Sequence, residues 1–130
     1  MRATLVLSLA VLSCNRAPSG PSAGDVCHQL EAAGVAAKCQ VASRGDAGLL
    51  AQAASEIVEF DLPSVPGKRG TVLRFADAAS YEQTVKGYEA AAILAGPHRY
   101  GSSRARIFVQ MNSAASNEVG AKASAVVSAL

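Results

Sequence analysis

The sequence predicts an α+β protein, a two-layer sandwich in which a mainly antiparallel sheet carries helices on one face. Two observations lead to this fold class. Short stretches of alternating apolar and polar residues are joined by Pro- and Gly-rich loops, as in antiparallel hairpins. Stretches with apolar residues at spacings of three and four separate these strands and predict amphipathic helices. Because the strands alternate, only one face of the sheet is expected to be covered.

The first 13 residues have the pattern of an export signal. Arg2 precedes an uncharged, mostly apolar run from Ala3 to Ser13. A charged start followed by a short apolar segment is typical of a secretory signal peptide. The run is too short to span a bilayer, since a spanning helix needs about 20 apolar residues. Residues 1–13 are therefore predicted to direct export and to be removed.

The end of this run, Val11-Leu12-Ser13-Cys14, resembles the lipobox of bacterial membrane lipoproteins. The resemblance covers only the signal and Cys14. It implies cleavage before Cys14, acylation of that cysteine, and anchoring of the mature chain to a membrane of the cell envelope, facing the periplasm or the cell surface. Ordinary secretion with cleavage near Ala17 or Ala23 is the alternative, and it would discard Cys14. Residues 14–24, rich in Pro, Gly and Ser, are predicted to be a flexible linker, and residues 25–130 a single domain.

Lipidation of Cys14 also explains the odd number of cysteines, because it leaves Cys27 and Cys39 as a pair. Asp25 is expected to cap the first helix, and Gly34 to end it. From Cys27 to Gly34 the helix rises about 10 Å, and an extended return of about 13 Å brings Cys39 back beside its start. An oxidising compartment then favours a disulfide, worth about 3 kcal/mol in the chain-entropy model.

A hairpin is predicted in the middle of the chain, after a short helix through Leu49, Leu50 and Ala53. Its first strand, residues 56–62, alternates, and its core face is expected to carry Val58, Phe60 and Leu62. The loop, residues 63–70, is rich in Pro and Gly. The second strand, residues 71–75, is expected to turn Arg74 away from the core and to direct inward Thr71, Leu73 and Phe75.

The last third of the chain predicts a long helix, two strands and a final helix. Asp77 is expected to cap the long helix, which ends at Gly96-Pro97. One face of that helix is expected to be buried and contains Tyr81, Val85, Tyr88 and Ala92. A short strand, residues 98–100, and a longer one, residues 104–111, follow. Asn112 or Ser113 is expected to cap the final helix, whose apolar stripe contains Ala115, Val119, Ala123, Val126 and Leu130.

Charge and motifs exclude several functions. Lys and Arg number 12 against 10 Asp and Glu, and because Arg2 and Arg16 precede the domain, the domain is neutral. A neutral domain lacks the basic charge of a nucleic-acid binder, so no nucleic-acid partner is predicted. The sequence has neither a Gly-x-Ser-x-Gly nor a Ser-x-x-Lys motif. No catalytic residue, cofactor or metal is predicted.

Two alternatives stay open at this stage. One is an envelope enzyme whose site is assembled from residues distant in sequence. The other is a metal carrier that uses Cys27 and Cys39 with His28 and His98, since both residue types bind zinc and copper. The spacing of these four residues matches no standard metal motif, and oxidising conditions favour the disulfide.

One group of side chains is expected on the outward face of the sheet. Its members are basic or aromatic: Arg74, His98, Arg99, Tyr100, Arg104, Arg106 and Phe108. The plainer interpretation, favoured because surface ion pairs are common, pairs these arginines with Glu59 and Asp61 in solvated contacts of about 0.2–1 kcal/mol each. The sharper hypothesis is a surface that recognises a carboxylate or a sugar. The sequence thus predicts a noncatalytic envelope module, anchored by lipid, that binds an envelope protein, a glycan or a small anionic ligand.

Overall fold

A computed structural model describes residues 20–45 and 47–130. The predicted signal peptide, the predicted lipidation site Cys14 and the predicted linker as far as residue 19 lie outside the described residues. Within the described part of the chain, no helix combines the length and the apolar character needed to cross a membrane.

The described chain forms four α-helices, one 3-10 helix and five strands. In order they are α1 (Ala23–Ala32), β1 (Ala37–Val41), the 3-10 helix (Leu49–Ala51), β2 (Glu56–Asp61), β3 (Arg69–Arg74), α2 (Ala78–Ala90), α3 (Ala92–Ala95), β4 (Arg99–Ser102), β5 (Ile107–Met111) and α4 (Asn117–Ser128). The strands form one sheet in the order β1-β2-β3-β5-β4, and every neighbouring pair is antiparallel. The predicted α+β class with an antiparallel sheet is confirmed.

The layers differ from the prediction in one respect, because helices cover both faces of the sheet. Val58, Val72 and Val109 are register partners and belong to a core with α1 and α4. This side is called the α1–α4 face. Their neighbours in sequence form a second core with α2, on the opposite side, called the α2 face; these neighbours are Ile57, Leu73 and Phe108. The expectation of helices on one face holds for α1 and α4, and α2 adds a third layer.

The same register corrects the predicted faces of the hairpin. Val58 lies opposite Val72, and Phe60 lies opposite Gly70, so these two side chains of β2 point to the α1–α4 face as predicted. Leu73 lies opposite Ile57 and therefore points to the α2 face. Gly70 is required here, since a Cβ at this position would lie 2.3 Å from Phe60 Cζ. The Phe60 ring thus covers the backbone of the neighbouring strand.

Helix α1 begins three residues earlier than predicted. Ser22 is its N-cap, and Asp25 occupies the third helical position and completes a capping box. The Ser22 hydroxyl accepts a hydrogen bond from the Asp25 N–H at 3.0 Å, and an Asp25 carboxylate oxygen accepts one from the Ser22 N–H at 3.0 Å. The predicted linker therefore includes the first residues of a helix. Gly34 follows the helix with φ of 79°, which confirms its predicted role at the C-terminus.

The other two long helices test the remaining predicted caps. Asp77 caps α2, as predicted, and accepts a hydrogen bond from the Ser80 N–H at 2.7 Å. Helix α4 is capped by Ser116. The prediction of Asn112 or Ser113 was wrong because Asn112 accepts a hydrogen bond from the Ala114 N–H and stabilises the preceding turn instead. The side chains of α4 that are buried are Val119, Ala123 and Val127, whereas Val126 and Leu130 are partly buried at the edge of the core.

A disulfide joins Cys27 to Cys39, with an S–S distance of 2.03 Å and a Cα–Cα distance of 6.2 Å. The pairing predicted from the helix and its extended return is therefore present. Cys27 is fully buried in the core of the α1–α4 face, and Cys39 packs against that core. The bridge fixes edge strand β1 to the first turns of α1.

Candidate functional site

The seven residues predicted to share one outward surface do not do so. Arg74 and Tyr100 lie on the α1–α4 face, because their register partners Ile107 and Val109 belong to that core. Arg99 and Phe108 lie on the opposite face, where the Arg99 guanidinium and the Phe108 ring both contact Tyr88 of α2. The remaining three predicted residues, His98, Arg104 and Arg106, precede β4 or lie in the turn between β4 and β5.

Arg74 is buried rather than outward-facing. Arg74 is only 8% exposed, and its Nη1 lies 2.9 Å from Glu56 Oε2. The solvated ion pairs expected for Glu59 and Asp61 do form, but their partner is Arg69, at 2.9 and 3.2 Å. Arg69 lies directly opposite Asp61 in the hairpin, which explains the choice.

His98 is part of a buried hydrogen-bonded group. Its Nε2 lies 2.7 Å from the Ala115 carbonyl oxygen, and its Nδ1 lies 2.9 Å from the Tyr100 hydroxyl. A carbonyl can only accept, so Nε2 carries a proton and donates it, and in the neutral ring Nδ1 accepts from Tyr100. Gly120 of α4 packs directly on this pair. Both ring nitrogens are therefore engaged within the protein, and His98 joins Tyr100 of β4 to Ala115, which lies just before α4.

Arg104 and Arg106 belong to a turn, although the sequence predicted a strand. Arg104 is exposed. Arg106 has a φ of 54°, in the left-handed region, and its Nη1 donates to the Ala76 carbonyl oxygen at 2.6 Å. The positive φ ends the strand geometry before Ile107, so Arg106 holds the start of α2 rather than facing outward with Phe108.

Two of the predicted residues, Arg99 and Phe108, meet in a pocket of about 290 Å3 between α2 and edge strand β4. The lining residues are Tyr81, Val85, Glu89, Arg99, Gly101 and Phe108. Gly101 lies opposite Phe108, and a Cβ on it would lie 2.4 Å from the Tyr81 hydroxyl. The absence of a side chain at Gly101 thus lets Tyr81 lie across the strand and close one side of the pocket.

The Arg99 guanidinium is the polar centre of this pocket. Its Nη1 donates to the Tyr88 carbonyl oxygen at 3.1 Å, which fixes one edge of the guanidinium to α2. Its Nε is buried and has no hydrogen-bond partner, and among the described residues it is the one buried side-chain nitrogen or oxygen in that condition. A buried donor without an acceptor costs about 1–3 kcal/mol. An acceptor that reached this nitrogen would therefore recover free energy.

The other two polar groups of the pocket are the Tyr81 hydroxyl and the Glu89 carboxylate. Burial raises the pKa of the Tyr81 hydroxyl above its usual value, so this group stays protonated near neutral pH and is able to donate. Glu89 is exposed at the rim, and in the described part of the chain it forms no ion pair with Arg99. The pocket therefore offers a cation and a neutral donor beside an apolar wall, with one carboxylate at its mouth.

Sequence reasoning missed the contribution of α2 to this site. Tyr81, Val85 and Glu89 recur every four residues and therefore share one helical stripe. Tyr81 and Val85 were predicted to be core residues, and Tyr81 is buried. Phe108 was predicted to face outward but is buried as well, because α2 covers this face of the sheet. The one sequence signal for this contribution was that the stripe with Tyr81 and Val85 continues into the charged Glu89.

A larger cavity of about 460 Å3 lies where β1 ends and α1 begins. Its charged lining residues are Arg44 and Glu56. Glu56 already pairs with Arg74, and the Ser22 hydroxyl at its rim already caps α1. No buried unpaired side-chain donor lines this cavity within the described chain. The larger cavity therefore lacks an unpaired buried donor of the kind that Arg99 provides in the smaller pocket.

The residues suggested for a metal site are arranged differently. Cys27, Cys39 and Glu31 place ligand atoms within 4.8 Å of one another. The two sulfurs are bonded to each other, so neither is a thiolate able to bind a metal. His28 is exposed and lies 3.2 Å from Glu31 through its Nδ1. His98 is buried elsewhere, with both nitrogens engaged.

Comparisons with known proteins give no assignment for this chain. No protein-family model, no curated protein and no solved structure shows significant similarity to it. An α+β fold alone does not specify a function. The function must therefore be argued from the pocket and from the sequence of this chain.

Proposed function

We propose that this chain is an exported, lipid-anchored, noncatalytic module of the bacterial cell envelope, and that it captures a small carboxylate-bearing ligand in the pocket between α2 and β4. The main support for a ligand is the Arg99 Nε, which is buried and has no hydrogen-bond partner among the described residues. Anchoring is supported by the lipobox-like sequence ending at Cys14.

A carboxylate fits Arg99 better than a neutral acceptor does. The Nε–H and the neighbouring Nη2–H of a guanidinium point in parallel and match the two oxygens of a carboxylate. Nη1 is used by the Tyr88 carbonyl, so the Nε edge is the one left for a ligand. Because Nε is buried, the guanidinium must turn slightly toward the pocket when the ligand binds. The protonated Tyr81 hydroxyl also lines the pocket and adds a second donor.

The remaining lining limits the size and charge of the ligand. A volume of about 290 Å3 is at the lower limit for ligand pockets, which favours a molecule of amino-acid size. Val85 and Phe108 provide an apolar wall. Glu89 would repel a multiply charged anion and would attract an ammonium group. A zwitterion with one carboxylate, one amine and an apolar side chain satisfies all three features.

Side-chain NMR of arginine Nε–H groups tests the ligand directly. Leucine is the probe, added to the protein labelled with nitrogen-15. We expect saturable shifts of the Arg99 Nε–H signal and of the backbone amide signal of Gly101, which also lines the pocket. In Arg99→Lys, which keeps the charge but removes the fork together with its Nε–H, the Gly101 signal should no longer show a saturable shift. Arg104→Lys is the matched control, because Arg104 is exposed in a turn. A titration without saturation, or one that Arg99→Lys leaves unchanged, would refute the pocket.

The anchor needs a separate test. Expression of the whole chain in a bacterium should give a mature N-terminus at Cys14 that carries acyl mass and partitions into detergent. Cys14→Ser should abolish both properties, because the sulfur is the site of acylation. Its domain should remain folded, since the disulfide and both hydrophobic cores are formed by later residues of the chain. An unacylated wild-type N-terminus would contradict the anchor without affecting the pocket.

A further inference from the structure

Two aliphatic side chains of α3 are presented to solvent. Ile93 is 100% exposed and Leu94 is 91% exposed. Large aliphatic residues in adjacent, fully exposed positions have no packing role in the domain itself. The segment from Ala90 to Pro97 contains no charged residue, so the whole tip around α3 is apolar or neutral.

The tip is nevertheless held firmly. The Ala95 carbonyl oxygen accepts a hydrogen bond from the Gln110 side chain at 3.0 Å, which attaches α3 to β5. Ala95 also packs against the core of the α2 face. Gly96 ends the helix with φ of 75° and contacts Ser113. The outward direction of Ile93 and Leu94 is therefore set by structure on both sides.

We propose that α3 contacts a lipid bilayer and orients the anchored domain on it, with Ile93 and Leu94 inserted at the level of the headgroups. This inference rests on the proposed anchoring. No charged residue within the segment would have to be desolvated when it enters the interface, so the main penalty of membrane insertion is avoided.

A bilayer fits this tip better than a second copy of the chain. Two aliphatic side chains provide far less buried surface than the roughly 800 Å2 per partner that is typical of a stable protein interface. They also bury fewer methylenes than one myristoyl chain, which alone gives only marginal membrane binding. A free protein would therefore not be held by α3. A protein that is already tethered makes the contact intramolecularly, and a weak contact is then sufficient to set its orientation.

The reach of the tether allows this orientation. Gly20 and Pro21 lie beside Arg104 and Leu130, at the end of the sheet with the β4–β5 turn. Helix α3 precedes β4 and so lies at the opposite end, about 15 Å away along a strand of five residues. Six residue steps from Cys14 to Gly20 span at most about 20 Å. The domain is therefore able to lie on its side, with both the tether and α3 at the membrane.

A single-tryptophan experiment tests the contact, because the chain contains no tryptophan. Residues 14–130 carrying Leu94→Trp are coupled through the Cys14 thiol to a maleimide-bearing lipid in phosphatidylcholine vesicles with brominated acyl chains. Ala125→Trp is the matched reporter, at an exposed position on α4 in the opposite layer. We expect fluorescence quenching to be at least about twofold stronger for Leu94→Trp, with a blue-shifted emission.

Adding Ile93→Asp to the Leu94→Trp protein should remove that difference without changing the circular dichroism spectrum, because Ile93 makes no buried contact. Equal quenching of the two reporters, or absence of quenching in both, overturns the proposal. A blue shift that depends on protein concentration without lipid would assign the tip to self-association and also overturn it. The synthetic anchor makes the result independent of whether bacteria acylate Cys14, so failure of this contact and failure of the proposed anchoring are distinguishable.

Discussion

Replacing Gly120 by alanine sets two physical effects against each other. Gly120 lies inside α4, where alanine is intrinsically better than glycine by about 0.5–1 kcal/mol. The added Cβ would lie 2.5 Å from the Tyr100 hydroxyl oxygen and 2.7 Å from His98 Nδ1. These two groups form a hydrogen bond of 2.9 Å with each other, so a shift of either one disturbs that bond.

The packing effect is the larger of the two. Overpacking a core position costs about 1–3 kcal/mol. The movement of Tyr100 that would relieve the clash leaves the buried His98 Nδ1 without its partner, which itself costs about 1–3 kcal/mol. Because relief of one penalty creates the other, they do not add fully. After subtracting the gain in helix propensity, we expect Gly120→Ala to lower the free energy of unfolding by about 1–3 kcal/mol.

Urea denaturation measures this change as a shift in midpoint at constant slope. Gly87→Ala is the matched control, since Gly87 also lies inside a helix but faces only the end of the Leu50 side chain, at 3.1 Å. It should be neutral or stabilising by up to about 1 kcal/mol. In a double-mutant cycle, Tyr100→Phe should make Gly120→Ala less costly by about 1 kcal/mol. Equal stabilisation by Gly120→Ala and Gly87→Ala would refute the packing argument.

Three further predictions concern other parts of the domain. Replacing Cys27 and Cys39 by alanine together should lower the free energy of unfolding by about 3 kcal/mol, and mass spectrometry of the native wild type should show no alkylation at either position. Hydrogen bonding to the Ser80 N–H lowers the pKa of Asp77, so the contribution of this carboxylate to stability is present above its ordinary pKa of 3.8 and is lost as the pH falls through the folded pKa. Asp77→Asn should keep the helix cap and weaken the loss of stability at acid pH. Equal pH dependence of the free energy of unfolding in the two proteins would count against this cause. Gly70→Ala should destabilise the domain by about 1–3 kcal/mol in thermal unfolding, because its Cβ meets the buried Phe60 ring; an unchanged melting temperature would contradict this.

The sequence predicted the helices and strands better than it predicted which side of the sheet each side chain faces. Alternation in residues 56–62 correctly predicted β2 and the hairpin, because successive side chains of a strand point to opposite faces and this pattern can be read from the local sequence. Ile57 and Val58 are both apolar, as are Val72 and Leu73, and both members of each pair are buried. When consecutive residues are apolar, alternation does not decide which one faces which layer. The second helical layer was missed for this reason.

The predicted caps failed where several suitable residues follow one another. Ser22 and Asp25 are both good N-cap residues, and so are Asn112 and Ser116. The structure uses Ser22, which places the buried Ala23 in the first turn of α1, and Ser116, which starts α4 just before its first buried residue, Val119. Propensity alone identifies a set of possible starts, whereas packing chooses one of them.

The structure brings only part of the predicted group of side chains together, for a related reason. Arg99 and Phe108 both line the pocket, since they occupy diagonal positions of the antiparallel pair β4–β5. Arg106 was grouped with them on the assumption that its strand began at residue 104. Its φ of 54° breaks the alternation, and nothing in the composition of this turn indicates a left-handed arginine. Arg74 was placed outward because its burial depends on a partner, Glu56, 18 residues away.

The pocket and the core depend on the same structural device. The chain has only three Phe and three Tyr and no Trp, and one of these side chains packs closely against each of the glycines Gly70, Gly101 and Gly120. An aromatic ring over a glycine brings layers into close contact without large aliphatic side chains, which suits a core rich in alanine. At Gly101 the covering ring is Tyr81, and the space it leaves beside Phe108 is the pocket of Arg99. The pocket proposed to bind a ligand is therefore shaped by the packing that compensates for the small core.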